Sequence, residues 1–118
     1  MKKVTFVSPY ELFRLDIDEI MAIEARGNYS VATLRDGEEI VITKQLGQVM
    51  RVIEEQTPEE NTKLARLGRS LTINLNYVRH ICLKKKPYLT LRCTENCISR
   101  DYNPPKDSLK PLMEAVSC

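Results

Sequence analysis

The spacing of apolar and polar positions changes period several times along the chain. Val4 and Phe6, followed by Pro9 and Tyr10, read as a short leading strand and its turn. Ile17 to Ala25 sets Ile17, Ile20, Met21 and Ile23 among acids, a strand whose register the pattern leaves open. Tyr29 to Leu34 and Glu39 to Thr43 alternate clearly. The Asp36-Gly37 pair between them suits a tight hairpin turn with positive φ. Leu46, Val49, Met50 and Ile53 then fall on one helical stripe, opened at Thr43 or Lys44 and closed by Gln56-Thr57-Pro58. A polar loop covers residues 58–62. Strand spacing returns at Leu71, Ile73 and Leu75, and at Val78 to Leu83 and Tyr88 to Cys93, which flank a Lys84-Lys85-Lys86-Pro87 tip. Ile98 adds a further short strand. Leu109, Leu112, Met113 and Val116 predict a last helix, with Pro111 tolerable if that helix begins near Ser108. The pattern predicts a mainly β fold of antiparallel sheets, with about eight to ten short strands and one or two short helices.

Length fits one domain over residues 1–118, since such a chain can bury roughly 65% of its unfolded surface without disulfide staples. Charged residues make up 29% of the sequence, an ordinary globular share. No apolar run reaches the ~18 residues of a membrane span and no signal peptide is evident, so a cytoplasmic protein without membrane contact is expected. The net charge of +2 hides an asymmetry: residues 1–61 hold 7 Lys/Arg against 12 Asp/Glu, and residues 62–118 hold 11 against 4. A basic half suggests a positive face for an anionic partner such as nucleic acid, although a silent dipolar surface would look the same.

Cys82, Cys93, Cys97 and Cys118 are expected as reduced thiols. His80 and Cys82 would complete a four-ligand set with Cys93 and Cys97 if two strands met. Cysteine is more often a small buried hydrophobe, however, and no metal and no cofactor are expected. Enzyme chemistry lacks parts: there is no nucleophile elbow, no phosphate-cradling glycine loop and a single histidine. The acidic cluster Asp16, Asp18 and Glu19 reads as a solvated edge. Helix-turn-helix and zinc-finger spacings are absent too, so DNA contacts would have to come from loops and strand ends.

The segment Arg66-Leu67-Gly68-Arg69-Ser70-Leu71-Thr72-Ile73-Asn74 resembles the central motif of the LytTR DNA-binding domain family, Arg-x-His-Arg-Ser-x-x-Val-Asn. Asp18 to Tyr29 is similar to that family's opening strand and Gly-Asn-Tyr loop, Gln45-Leu46 to the start of its helix, and Ser99-Arg100-Asp101-Tyr102 to its closing Ser-Arg-x-Tyr. The resemblance covers about residues 15–102, with a leading arm over 1–14 and a C-terminal helix over 103–118. It implies an antiparallel β fold whose loops enter the major groove and converge on one cationic edge. By position it places Asn28 and Tyr29 in a first contacting loop, Arg69 with Ser70 in a second and Arg100 in a third. Arginine can pair with guanine O6 and N7 and asparagine with adenine, which makes Asn28, Tyr29, Arg69 and Arg100 base-contact candidates. Lys44, Arg66 and Ser70 suit phosphate oxygens.

Each residue also has a plainer explanation. Asn28 fits a turn, Tyr29 a half-buried core position, Arg69 and Arg100 ordinary surface charge. Lys84 to Lys86 fits a solvated tip, with phosphate contact as its second role. Gly68 stands where the family usually has histidine, so sequence preference does not carry over. Family members commonly carry a receiver domain; this sequence shows none, which implies a stand-alone regulator or a signal that arrives through a partner. The expected function is a sequence-specific, double-stranded DNA-binding transcription regulator without catalytic activity, acting as a homodimer on repeated half-sites. A protein-interaction module for a sensor or signalling protein, and a single-stranded nucleic-acid binder stacking Tyr29, Tyr77, Tyr88 and Tyr102, are the alternatives.

Overall fold

The structure, a computed structural model, describes residues 3–117 apart from the side chains of residues 60–62. Cys118 lies outside the described residues. Strands β1 (Lys3–Val7) and β2 (Leu12–Asp16) pair as a hairpin of their own. Strands β3 (Ile20–Arg26), β4 (Tyr29–Leu34), β5 (Glu39–Ile42), β6 (Leu64–Leu67) and β7 (Leu71–Asn74) form a five-stranded sheet in the order β5-β4-β3-β7-β6. Strands β8 (Val78–Cys82), β9 (Tyr88–Cys93) and β10 (Ile98–Tyr102) make a three-stranded sheet in the order β10-β9-β8. All pairings are antiparallel. Helix α1 (Leu46–Gln56) follows β5 and α2 (Lys106–Val116) follows β10. No helix among the described residues is long and apolar enough to cross a membrane.

The five-stranded sheet is the middle layer, and both of its faces are covered. Ile23, Ala32 and Ile42 meet Leu46, Val49 and Ile53 of α1 and Val4, Phe6 and Leu15 of the leading hairpin. Ala22, Leu71 and Ile73 on the other face meet Leu89, Leu91 and Cys93 of β9 and Leu109 and Leu112 of α2. A large apolar side chain fully buried in this way contributes about 1.5–3 kcal/mol. With two buried faces, strict alternation along the strands gives way to apolar runs such as Ile20 to Ile23.

Strand β3 serves both cores because its register shifts between Ile20 and Ala22. Ile20 and Ile23, three residues apart, would face opposite ways on a regular strand; the bulge puts both in the α1 core and sends Met21 and Ala22 to the other. This is why spacing alone left the register of that segment open. The carbonyl freed there has a dedicated partner. Fully buried Asn74 donates from Nδ2 to the Ile20 carbonyl at 2.9 Å, and its Oδ1 accepts the Asn76 N–H at 3.0 Å, opening the 3-10 turn over residues 75–77.

Several sequence expectations change. The leading arm is a complete hairpin whose second strand crosses residue 14. Strand β6 went unforeseen because Leu64 and Leu67 face opposite cores, which removes any period-two signal. The loop at 58–62 is a 3-10 segment over Pro58–Lys63. Helix α2 begins at Lys106 rather than Ser108, so Pro111 sits inside it; Pro111 lies on the exposed side, where the carbonyl it leaves unpaired can meet water.

Replacing Asn74 by leucine keeps the volume but strands the Ile20 carbonyl and the Asn76 N–H. The expected cost is about 1–3 kcal/mol, read as a lower urea midpoint at unchanged slope. A midpoint equal to wild type would show that the amide bonds are dispensable.

Candidate nucleic-acid interface

Antiparallel connectivity sorts the chain's connections between two ends of the molecule. β3 runs toward the Gly27-Asn28 turn and β4 runs away from it, because Arg26 pairs with Tyr29. β5 returns to the same end, where Ser30 Oγ donates to the Lys44 carbonyl at 2.8 Å. β6 arrives there too, and the turn over Gly68–Ser70 is tied to β3 by an Ala25 N–H to Ser70 carbonyl bond of 2.8 Å. The tip of the leading hairpin shares a small cavity with Thr43 and Lys44. Residues 102–105, leading into α2, line a groove of about 290 Å³ together with Glu24, Gly68, Arg69 and Ser70. Both helices start at this end, α1 directly after Lys44 and α2 with Ser108 beside Gly68.

Charge follows the same division. Arg26, Lys44, Arg66 and Arg69 belong to the first end. Asp16, Asp18, Glu19, Asp36 and Glu38 belong to the other, at the turns before β3 and after β4. The first is therefore cationic and the second acidic. An acidic partner holds Lys63, whose Nζ lies 2.8 Å from Asp18. At the cationic end Arg26 and Glu24 make a looser pair, at 3.5 Å. Helix N-termini add partial positive charge to this end, and the first turn of α1 carries no acid to cancel it.

The two turns are short and conformationally fixed. Gly27, at φ +67°, occupies the first central position of a two-residue hairpin turn, the type II′ pattern, which leaves Asn28 and Tyr29 exposed beside it. Gly68 has φ +70° and opens the three-residue turn that exposes Arg69 and Ser70. Arg66 donates from Nε to the Gly68 carbonyl at 3.2 Å, bracing that turn. At Gly68 the turn demands the left-handed region, which glycine enters freely.

The structure brings Asn28, Tyr29, Lys44, Arg66, Arg69 and Ser70 to one end, and Arg100 apart from them. Arg100, which the resemblance placed in a third contacting loop, stands on a strand here. It is half-buried on β10, paired with Leu91, and donates from Nη1 to the Ser99 carbonyl at 3.1 Å. Its guanidinium lies against the Asp36-Gly37 turn, where a methyl on Gly37 would sit 3.7 Å from Nη2. Short antiparallel pairing with β9 fixes that placement. Arg26, exposed next to the Gly27-Asn28 turn, joins the cationic end although sequence reading passed over it; its position one residue before Gly27 was the available signal.

Tyr102 closes the groove beneath Arg69. Burial raises its hydroxyl pKa above 10.0, and the neighbouring Glu24 carboxylate pushes the same way. The metal alternative finds no support in the geometry. His80 Nδ1 faces the Tyr88 hydroxyl at 3.2 Å, Cys93 is buried and Cys97 is exposed in a turn. No group of three or more His, Cys, Asp or Glu able to hold a metal occurs among the described residues.

Comparisons with known proteins converge on one description. The model of the LytTr DNA-binding domain family matches residues 10–110. In structure the chain is similar to the LytTr DNA-binding domain assigned to a methyl-accepting/DNA response regulator of Bacillus cereus, with a TM-score of 0.62 and 17% identity over 100% of this chain and 99% of that one. No curated protein sequence matches significantly.

Two outcomes follow from the turn and the groove. Gly68→Ala should lower stability by about 1–2 kcal/mol, because an L side chain at this φ is strained while the added methyl meets nothing closer than Ser108 Oγ at 3.8 Å. Gly68→Asn should cost less than Gly68→Val in the same denaturation series, the reverse order sinking the backbone explanation. Since folding raises the Tyr102 pKa, its stabilising effect is complete below 10.0 and lost as pH rises beyond that value. Tyr102→Phe should flatten the fall in thermal stability above 10.0, and an unchanged slope would contradict it.

Proposed function

The chain belongs to the LytTr DNA-binding domain family, a family of DNA-binding domains rather than enzymes, and from that premise we propose a sequence-specific regulator that reads duplex DNA through its cationic end. One observation carries this reading. Two short, glycine-set turns from distant parts of the sequence, 27–28 and 68–70, lie at the same end of the sheet, the second bonded through Ser70 to Ala25 of the strand that leads into the first, and Asn28, Tyr29 and Arg69 are exposed there. A major groove about 12 Å wide admits such an edge. Arg69 supplies the planar fork that pairs with guanine O6 and N7, Asn28 an amide suited to adenine, and Tyr29 an apolar face for a thymine methyl.

Around these, Lys44, Arg66 and Ser70 hold phosphates and set the register of the protein on the duplex. The N-terminus of α1, adjoining Lys44, points the same way. Arg100 is not assigned to the base-reading set, because its guanidinium rests against the turn at the acidic end. One domain of this size covers limited DNA surface, so two copies on repeated half-sites supply the specificity a regulator needs.

Selection of bound duplexes from a random pool, at moderate salt, is the direct test, and an enriched sequence is the expected result. On that duplex Arg69→Ala and Asn28→Ala should each lose about 1–3 kcal/mol of preference over a scrambled one. Lys44→Gln and Arg66→Gln should weaken both duplexes alike and reduce the salt dependence. Arg100→Ala should retain the preference. Full discrimination in the Arg69 and Asn28 variants, or its collapse in the Arg100 variant, would overturn the residue assignment.

A further inference from the structure

The β8–β9 connection carries Lys84, Lys85 and Lys86 in succession, all exposed. Its place in the fold follows from two registers. Cys82 pairs with Tyr88, and Leu89 pairs with Tyr102, the residue that shares a groove with Arg69 and Ser70. Asn103 donates from Nδ2 to the Pro87 carbonyl at 3.4 Å, which fastens the base of the tip to the link before α2. The three lysines therefore project from the cationic end, on the layer opposite to α1. They are remote in sequence from both base-reading turns.

Their chemistry differs from that of Arg69. None of the three makes a hydrogen bond or ion pair among the described residues. The acid nearest in the sheet, Asp101, is engaged by the Thr90 hydroxyl at 2.7 Å. Three adjacent ammonium groups repel one another, and among the described residues no carboxylate pairs with them. Lysine is also a flexible point charge, suited to an anion whose position varies rather than to the fixed edge of a base.

We propose that the Lys84–Lys86 tip is a phosphate clamp, gripping the DNA backbone beside the base-reading turns without reading sequence. The inference rests on the duplex binding proposed above and adds a second contact surface to it. It requires binding energy from the tip to depend on salt and to be indifferent to sequence.

The test compares wild type with two triple variants, Lys84→Gln/Lys85→Gln/Lys86→Gln and Lys84→Arg/Lys85→Arg/Lys86→Arg, on the selected and the scrambled duplex across a salt series. Every lysine–phosphate pairing abolished should make the slope of log affinity against log salt shallower by about 0.9, and by ~2.7 if all three engage. The glutamine variant should show this shallower slope with an unchanged ratio between the two duplexes, and the arginine variant should match wild type. A thermal midpoint equal to wild type confirms that the exposed substitutions leave the fold intact. If wild type binds duplex and the glutamine variant keeps its slope, the clamp is wrong while the base-reading turns stand. If the glutamine variant loses its preference between duplexes, the tip reads bases and the clamp is equally wrong. A wild-type chain that binds no duplex at low salt removes the proposed function and the clamp together.

Discussion

One buried amide holds the geometry on which every other feature depends. The bulge near Ile20 lets β3 supply Ile20 and Ile23 to one core and Met21 and Ala22 to the other, at a shift in its register with β4, while its pairing with β7 stops at Ala22 and does not reach Ile20. A carbonyl left unpaired between two apolar layers would cost about 1–3 kcal/mol, comparable to what one buried apolar side chain returns. Asn74 removes that cost by donating to Ile20. The same side chain starts the turn over residues 75–77 that carries the chain from the middle sheet to β8. Register, layer crossing and core partition thus share one side chain.

The consequence for function is directional. Once β3 is fixed, antiparallel pairing fixes which connections appear at which end, and those at 27–28, 43–45, 68–70 and 84–87 all appear together. The local charges complete the pattern. Carboxylates gather at the opposite connections, and the bases at this end have few partners. Long-range attraction of a polyanion would then orient the molecule before any specific contact forms, since a separated charge distribution acts over a Debye length of about 8–10 Å.

Sequence alone disclosed the elements whose signal is local. The Asp36-Gly37 hairpin has its turn residues written in the chain, and α1 has an unbroken apolar stripe from Leu46 to Ile53. It failed where a residue answers to two layers, as Leu64 and Leu67 of β6 do, or where the outcome hangs on a bulge. The candidate site divides along the same line. Asn28 and Arg69 sit beside glycines that mark turns, so their exposure could be inferred from neighbours. The direction of Arg100 is a tertiary matter, set by how β10 lies over the β4–β5 turn, and no spacing encodes it. Charge by sequence halves pointed to a positive face, but its location needed the strand order.

The two kinds of connection at the cationic end differ in a way that matches two kinds of contact. Discrimination between bases needs donor and acceptor positions held to a fraction of an ångström, and a turn of two or three residues with a glycine-set φ has little freedom to lose on binding. The Ala25 to Ser70 bond goes further, locking one such turn to the strand that leads into the other. The lysine tip has no comparable brace beyond Pro87, and needs none: an ammonium group attracts a phosphate over a broad range of geometries, whereas a guanidinium must meet a guanine edge in its plane. On the proposed reading, rigidity is thus concentrated where direction decides the energy, and charge without fixed direction is left on the longer loop.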